Sequence, residues 1–529
     1  MSTSIYLVNP ASDFPTYFSA EVFAGRGLGA AAFMADLSIA TLAGMFPDDF
    51  HISLCDENIS PVDLDHAADY VGITGKVTQR NRMVAIASEF RKRGKVVIIG
   101  GSYASLAPEY LRPHCDILVQ GESEAIIDEL ASDLNHSCWK EEYVGDRPDL
   151  SRAAIPKWEG YPNGRALMGA LQTSRGCPFE CEFCDVIQYL GRKQRHKSIP
   201  QVLAELDELY RYGYRSVFLA DDNFTASRSR AKELLSALRD WNRRQTDGRV
   251  WFTTQVSIDA AKNDELIRMC AEAGIMNVFI GIETPNESSL KETKKRQNVG
   301  INLNDYIQRF LDQGISVIGG MIVGFDNDGP DIFKRQFEFA MSTPIPMFTL
   351  GALVAPEATP LYDRMVRENR LAADGSGAAA MPWSTNIIPR QMTREQLFEG
   401  IQWLCNSLYH PAAFAERASS FIDRLGERAG FDSGQKLYSD TPRPINNDAM
   451  RLLAKLFSSG RPEDKVLSSI LSKASTKPQA KVYLKMALIQ YAQIRYMYEQ
   501  GSFWDCQIAT GPPPEFIMNP ASLPIAAAL

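Results

Sequence analysis

Residues Thr173-Ser-Arg-Gly-Cys177-Pro-Phe-Glu-Cys181-Glu-Phe183-Cys184-Asp185 place three cysteines in the spacing C-x3-C-x2-C. Three thiolates so close in sequence suit three irons of a [4Fe–4S] cube and leave the fourth iron open to an outside ligand. An electron-carrying ferredoxin closes its shell with a fourth cysteine, but the next one in this chain is Cys270. An incomplete set of protein ligands points to chemistry at the metal, as it does at catalytic zinc. Zinc, disulfides and buried thiols without a role compete with this reading. A disulfide needs an oxidising compartment. Structural zinc wants four ligands, and the nearest further donors are His196 and Asp185.

Working outward, the loop follows an apolar run, Ala166 to Thr173, that reads as a strand. Five more strand patterns follow at Ser216–Ala220, Trp251–Val256, Asn277–Ile282, Ser316–Val323 and Phe348–Val354. Helical patterns separate them, such as Gln201–Tyr212 and Arg228–Trp241. Six such units predict a central six-stranded partial (β/α)6 barrel over 166–360, with its working edge at the strand carboxyl ends. Upstream, residues 1–140 alternate strands (Ile5–Val8, His51–Cys55, Tyr70–Thr74, Val96–Ile99, Asp116–Gln120) with helical patterns at Ala31–Met45 and Arg80–Arg93. That alternation predicts a parallel, Rossmann-like α/β sheet. Ligands of such sheets bind at the strand carboxyl ends. The candidate edge is therefore Asn9, Asp56, Asn58, Thr74, Gly75, Gly100, Gly101, Ser102 and Gly121, with Glu122 beside it. Residues 141–165 read as a proline-bearing connector, and 361–529 as a mainly helical region with a loosely ordered tail after Pro514.

The chain has 529 residues, 45% hydrophobic and 23% charged, with a net charge of -8. These values describe a globular protein of about three domains. The negative charge argues against nucleic acid as a partner. Met1-Ser-Thr-Ser-Ile runs straight into a strand, without a signal-peptide pattern. No apolar stretch reaches the roughly 18–20 residues that span a bilayer. Nine cysteines in such a chain read as reduced thiols plus a metal site, hence a cytoplasmic protein. Two basic runs, Gly191–Lys197 and Lys291–Arg296, read as solvated faces or as surfaces for an acidic substrate group or a reductant. The 17 Met and 26 Phe read mainly as core.

The cysteine spacing resembles the signature of the radical S-adenosylmethionine (radical SAM) enzymes, Cys-x3-Cys-x-aromatic-Cys, with Phe183 at the aromatic position. The resemblance implies that S-adenosylmethionine chelates the open iron and is cleaved by one electron to methionine and a 5′-deoxyadenosyl radical. It implies roles on the barrel edge as well. Phe183 and Ile318 would lie against adenine, and Asp221 and Asp222 would take the amino group. Gln255 and Ser257 would reach the carboxylate or the substrate, and Glu283 the ribose. The usual Gly-Gly-Glu after the second strand is here Ala220-Asp221-Asp222-Asn223.

The first domain resembles the cobalamin-binding domain of the B12-binding branch of that family. The resemblance rests on Asp56-x-Asn58, Gly72-Ile-Thr74, Gly100-Gly101-Ser102 and Gln120-Gly-Glu122. An Asp-x-His-x-x-Gly motif is absent, which implies cobalt without a lower histidine ligand. The whole pattern resembles hopanoid C-2 and bacteriochlorophyll side-chain methylases with a helical C-terminal extension. It implies methyl transfer, through methylcobalamin, to an unactivated carbon of a lipid or tetrapyrrole-like molecule, with flavodoxin or ferredoxin as electron donor. Peripheral membrane contact stays open. A radical oxidative cyclase and a non-catalytic cobalamin sensor are the alternatives.

Overall fold

The computed structural model describes residues 3–372, 381–428, 443–458 and 462–518. Within them the chain divides into two units, one comprising Met1–Pro178, Asp185–Gln255 and Gln435–Met450, the other Phe179–Cys184, Val256–Gly434 and Arg451–Leu529.

In the first unit the strands are β1 (Ser4–Asn9), β2 (Ala32–Met34), β3 (His51–Asp56), β4 (Tyr70–Thr74), β5 (Val96–Gly100), β6 (Ile117–Gln120), β7 (Glu142–Val144), β8 (Ala166–Leu171), β9 (Ser174–Arg175), β10 (Arg195–His196), β11 (Ser216–Leu219) and β12 (Trp251–Gln255). One parallel sheet has the order β3-β1-β4-β5-β6-β7. Its central strands are apolar almost throughout, as strands covered on both faces must be; all five residues of β4 are buried. A second parallel array pairs β12 with β11, β11 with β8, and β8 with β2. The two-residue strands β9 and β10 pair antiparallel and frame the cysteine loop.

The expected helix Ala31–Met45 is corrected by this topology. Its first residues form β2, in register Ala32↔Ala166 and Met34↔Met168. The helix begins only at Leu37, where the Asp36 side chain accepts from Ile39 N at 2.9 Å. An N-cap residue is non-helical by construction, so the pattern breaks there. Strand β7 also appears where an irregular connector is expected, and pairs parallel with β6.

The second unit carries β13 (Ile275–Glu283), β14 (Ser316–Val323) and β15 (Met347–Ala352), parallel and in sequential order. Helices Arg394–Tyr409, Pro411–Arg424, Pro444–Phe457, Pro462–Ala474 and Pro478–Gln500 follow along the chain. Several open on proline, which suits the first helical turn because its missing N–H has no partner there anyway. Helix Pro462–Ala474 is not among the helices expected from the sequence, and the tail beyond Met518 lies outside the described residues. Among the described residues no helix is long and apolar enough to cross a membrane.

Candidate functional site

In the first unit a cavity of about 380 Å³ opens along one face of the β3-β1-β4-β5-β6-β7 sheet. Its floor follows the two-residue period of strands: Ile5 and Leu7, Gly72 and Thr74, Ile98 and Gly100, Val119 and Gly121. Helix Leu37–Met45 forms the opposite wall through Leu37, Thr41 and Met45. The floor is low because three of its positions, Gly72, Gly100 and Gly121, lack side chains. A Cβ on Gly72 would come 2.7 Å from Leu7, whereas one on Gly100 would project freely, 3.5 Å from Val119.

Six of the ten residues expected to hold cobalamin line this cavity: Thr74, Gly100, Gly101, Ser102, Gly121 and Glu122. The other four do not. Asp56 is saturated by Tyr161 Oη (2.6 Å), Asn58 Nδ2 (2.7 Å), Asn58 N (3.1 Å) and Asn9 Nδ2 (3.2 Å). That buried knot, which includes Asn9 and Asn58, ties β1 and β3 to the chain at Tyr161. Gly75 serves a crossing of chains. Gly101 (φ +99°) lies so close to it that a Cβ there would stand 2.7 Å from the backbone of Gly75. Sequence reasoning missed the apolar floor residues Ile5, Leu7, Ile98 and Val119 and the helix wall; the alternation of side chains along strands already recognised was the available signal.

The remaining wall comes from the flanks of the cysteine loop: Gln172 and Arg175 before it, Tyr189 and Leu190 after it. Arg175 donates to Glu122 at 2.6 Å and pairs with Glu124 at 2.7 Å, and Arg195 donates to the same Glu122. All four side chains are at most 12% exposed, so their attraction is weakly screened. Glu122 is thus a tether for two arginines rather than a free ligand group.

Asp221 and Asp222 follow β11 and part ways. Asp221 is buried and accepts from Thr173 N (2.6 Å), Thr173 Oγ1, Ser174 N (3.1 Å) and Ser174 Oγ (2.8 Å). It fixes the entry to the cysteine loop and has no lone pair to spare, contrary to the amino-group role expected of it. Among the described residues Asp222 accepts only from Gly176 N, at 2.9 Å. Burial, reinforced by the neighbouring Asp221 charge, pushes its carboxyl up to about 6. Gln255 ends β12 half-buried, its carbonyl accepting from Phe224 N at 2.9 Å.

In the second unit Cys181 is buried and receives a hydrogen bond from Gln297 Nε2 at 3.7 Å, while Cys184 N donates to Cys181 O at 3.1 Å. Phe183 packs 6.3 Å from the Phe325 ring. Lys295 Nζ stands 6.0 Å from the Phe183 centroid and 2.7 Å from Glu283. Burial pulls the Lys295 ammonium down, but the charges of Glu283, Cys181 and Cys184 more than restore it. Lys295 therefore corrects the solvated reading of 291–296, whereas Lys291, Lys294 and Arg296 are exposed. Glu283 ends β13 at a register shift with φ +64°, a left-handed conformation unfavourable for a side-chain-bearing residue. Gln336 Nε2 holds its carbonyl at 3.1 Å. Such strain persists where surroundings over-determine it, and it clusters at functional sites. Ser257 precedes the turn Ile258–Lys262. Ile318 is half-buried on β14, and the next two residues are glycines that leave room for the rings of Phe348 and Phe279.

Within this unit Cys181 has an amide donor beside it and Lys295 lies near both Cys181 and Cys184, surroundings of the kind that tune cysteine-held iron–sulfur clusters. Among the described residues no three His, Cys, Asp or Glu side chains gather as the ligands of a single metal ion. None of the nine cysteines is joined in a disulfide.

Comparison with known proteins agrees with this geometry. The radical SAM superfamily matches residues 171–340, and a domain of unknown function (DUF4070) matches 359–496. The chain is 33% identical over 424 residues to an uncharacterized methyltransferase, sll1242, of Synechocystis sp., covering 78% of this chain and 77% of that protein. It is 33% identical over 352 residues to the hopanoid C-2 methylase of Rhodopseudomonas palustris, covering 65% of this chain and 66% of the methylase. The cobalamin-dependent S-adenosylmethionine radical enzyme OxsB, solved with aqua-cobalamin and S-adenosylmethionine bound, shares the fold: TM-score 0.59 at 16% identity, over 98% of this chain and 83% of that one. The chain belongs to the radical SAM superfamily.

Proposed function

We propose that this protein is a cobalamin-dependent radical SAM methyltransferase acting on an unactivated carbon of a small molecule. One observation carries the reading: residues on both sides of the cysteine loop, 172–175 and 189–190, form a wall of the glycine-floored cavity. A flat, bulky cofactor seated there would lie against both flanks of that loop. When bound, the cluster and S-adenosylmethionine supply one-electron chemistry that opens a C–H bond, and cobalamin supplies the methyl group. The substrate is of the lipid or tetrapyrrole-like class, and the likeness to the hopanoid C-2 methylase supports the lipid arm.

The residues of this chain divide the task. Cys177, Cys181 and Cys184 hold three irons and leave one open. Asp222 receives the ammonium of S-adenosylmethionine, since its carboxylate has one hydrogen-bond donor where Asp221 has four. Phe183 and Ile318 border the adenine, Glu283 faces the ribose, and Gln255 and Ser257 take the carboxylate or substrate. Thr74, Gly100, Ser102 and Gly121 border cobalamin, and Glu122 orients Arg175 on the cavity wall. The apolar floor keeps water from that face. A one-electron donor such as flavodoxin or ferredoxin, a cytoplasmic setting and no nucleic-acid partner complete the reading; nine cysteines without a disulfide and the net charge of -8 support the last two.

The decisive experiment is anaerobic turnover with S-adenosylmethionine carrying a deuterated methyl group. Deuterated methyl in a product, with 5′-deoxyadenosine formed alongside, is the expected result. Release of 5′-deoxyadenosine with a product of unchanged carbon count would turn the reading to an oxidative cyclase. The cavity is tested separately by Gly100→Leu, whose side chain fills the floor with little disturbance of the backbone. Cobalamin uptake measured by visible absorbance should fall more than about tenfold, consistent with the packing penalty of several added carbons, while iron content stays unchanged. Gly101 is unsuitable for this test, because any side chain there meets Gly75 before it meets a ligand.

A further inference from the structure

Helix Pro360–Arg367 opens the matched region of unknown function, capped by Thr359, whose side chain accepts from Tyr362 N. One of its residues reaches the middle of the cysteine loop. Arg364 Nε and Nη2 donate to Glu182 Oε1 and Oε2 at 2.9 and 3.0 Å, a bidentate fork. Glu182 stands between Cys181 and Phe183. The same guanidinium donates to Glu292 at 3.3 Å and to Asp326. The backbone of Glu182 is engaged too: Leu361 N donates to its carbonyl at 3.2 Å, and its own N–H donates to Thr293 O at 3.0 Å. Asp326 is in turn anchored by Arg370 and Arg390.

Arg364, Glu182, Glu292 and Asp326 are all no more than 17% exposed at their side chains, so solvent weakens these pairs little. A planar guanidinium meeting a carboxylate edge-on fixes direction as well as distance, which an ammonium does not. Residues 176–184 have no regular secondary structure of their own to set the spacing of their thiolates. We infer that Arg364 is a positioning residue: through it, the domain of unknown function holds the cysteine loop in the shape that receives the irons. The inference rests on the reading of the loop as a cluster site; Arg364 itself touches no reacting group.

The test compares the full-length protein with Arg364→Ala, Arg364→Lys, Glu182→Gln and the double variant Glu182→Ala/Arg364→Ala; Arg370→Ala, which loosens Asp326 without touching the loop, is the control. In metal-free protein, hydrogen–deuterium exchange of the peptide holding 177–185 should speed up about tenfold in Arg364→Ala, the size expected for lost hydrogen bonds between charged groups. Arg364→Lys should recover only part of this. After reconstitution, Arg364→Ala should hold less than about half the wild-type iron, because the thiolates are no longer pre-placed. The electron paramagnetic resonance change on adding S-adenosylmethionine should broaden. The double variant should lose no more than Arg364→Ala alone, as a shared interaction requires. Unchanged exchange with full iron and an unchanged spectrum in Arg364→Ala would overturn the inference. Should Arg364→Ala fail to fold by circular dichroism, Glu182→Gln carries the same readouts, and the same outcomes support or overturn the role. A wild-type protein that takes up no iron would refute the cluster reading, while the exchange data alone would still decide whether Arg364 holds the loop.

Discussion

Cys184→Ala should leave the reconstituted protein with a small fraction of its iron and without measurable cleavage of S-adenosylmethionine. The reason is the number of ligands. A cluster held by three thiolates already has one iron without a protein ligand, and removing a second attachment leaves two cysteines to retain the whole cube. Metal affinity is also folding free energy for its loop, so the loss is steeper than one third. The next cysteine in the chain, Cys270, is buried within the helix Asp264–Ala273. Iron and sulfide assays, followed by mass spectrometry of 5′-deoxyadenosine, check this outcome. Near-wild-type iron with retained cleavage would remove Cys184 from the site.

The two neighbouring aspartates should separate cleanly in a paired experiment. Asp221→Ala strips acceptors from two buried N–H groups and two hydroxyls at once, and should destabilise the protein by about 3–5 kcal/mol, the range for removing one member of a buried charged hydrogen-bond network. Chemical denaturation reads that loss. Asp222→Asn should behave oppositely. A carboxyl raised to about 6 in the folded protein binds its proton more tightly there than in the unfolded chain. Its contribution to stability is therefore present at low pH and lost as pH rises through about 4 to 6. The amide removes that loss, so Asp222→Asn should be no less stable than wild type at pH 7. Binding carries the effect instead. Affinity for S-adenosylmethionine should weaken by about 10- to 100-fold, as for a lost charged hydrogen bond. The fall in wild-type affinity below about pH 6 should vanish in the variant. Equal affinity and an unchanged pH profile in Asp222→Asn would take it out of the site.

Much of this architecture is legible in the sequence because its strands are short apolar runs closed by Gly, Asn or Asp. Tyr70–Thr74 and Ser316–Val323 have the bounds that their composition predicts. The cysteine loop is legible for a different reason, since its chemistry requires a local spacing. What escaped depends on partners remote in sequence. Ala32-Phe-Met34 has a helical look until β8 offers it a strand to pair with. Lys295 belongs to a basic run until the fold buries it against Glu283. Asp221 and Asp222 differ only by one step along the chain, yet the first meets Thr173 and Ser174 and the second Gly176, all about 46 to 48 residues away in sequence. Arg364 meets Glu182 across 182 residues of sequence, a separation at which no local pattern operates.

Strand β2 has a consequence for how this chain can be cut or recombined. It comes from the N-terminal region, yet it completes the array that begins with β8, and the Glu122–Arg175 pair joins the same two regions a second time. The N-terminal region is therefore not a detachable cassette. A fragment starting after residue 141 would leave the backbone of β8 as a bare edge, and bare edges recruit other chains. Any recombination of this chain must move the two regions as one piece.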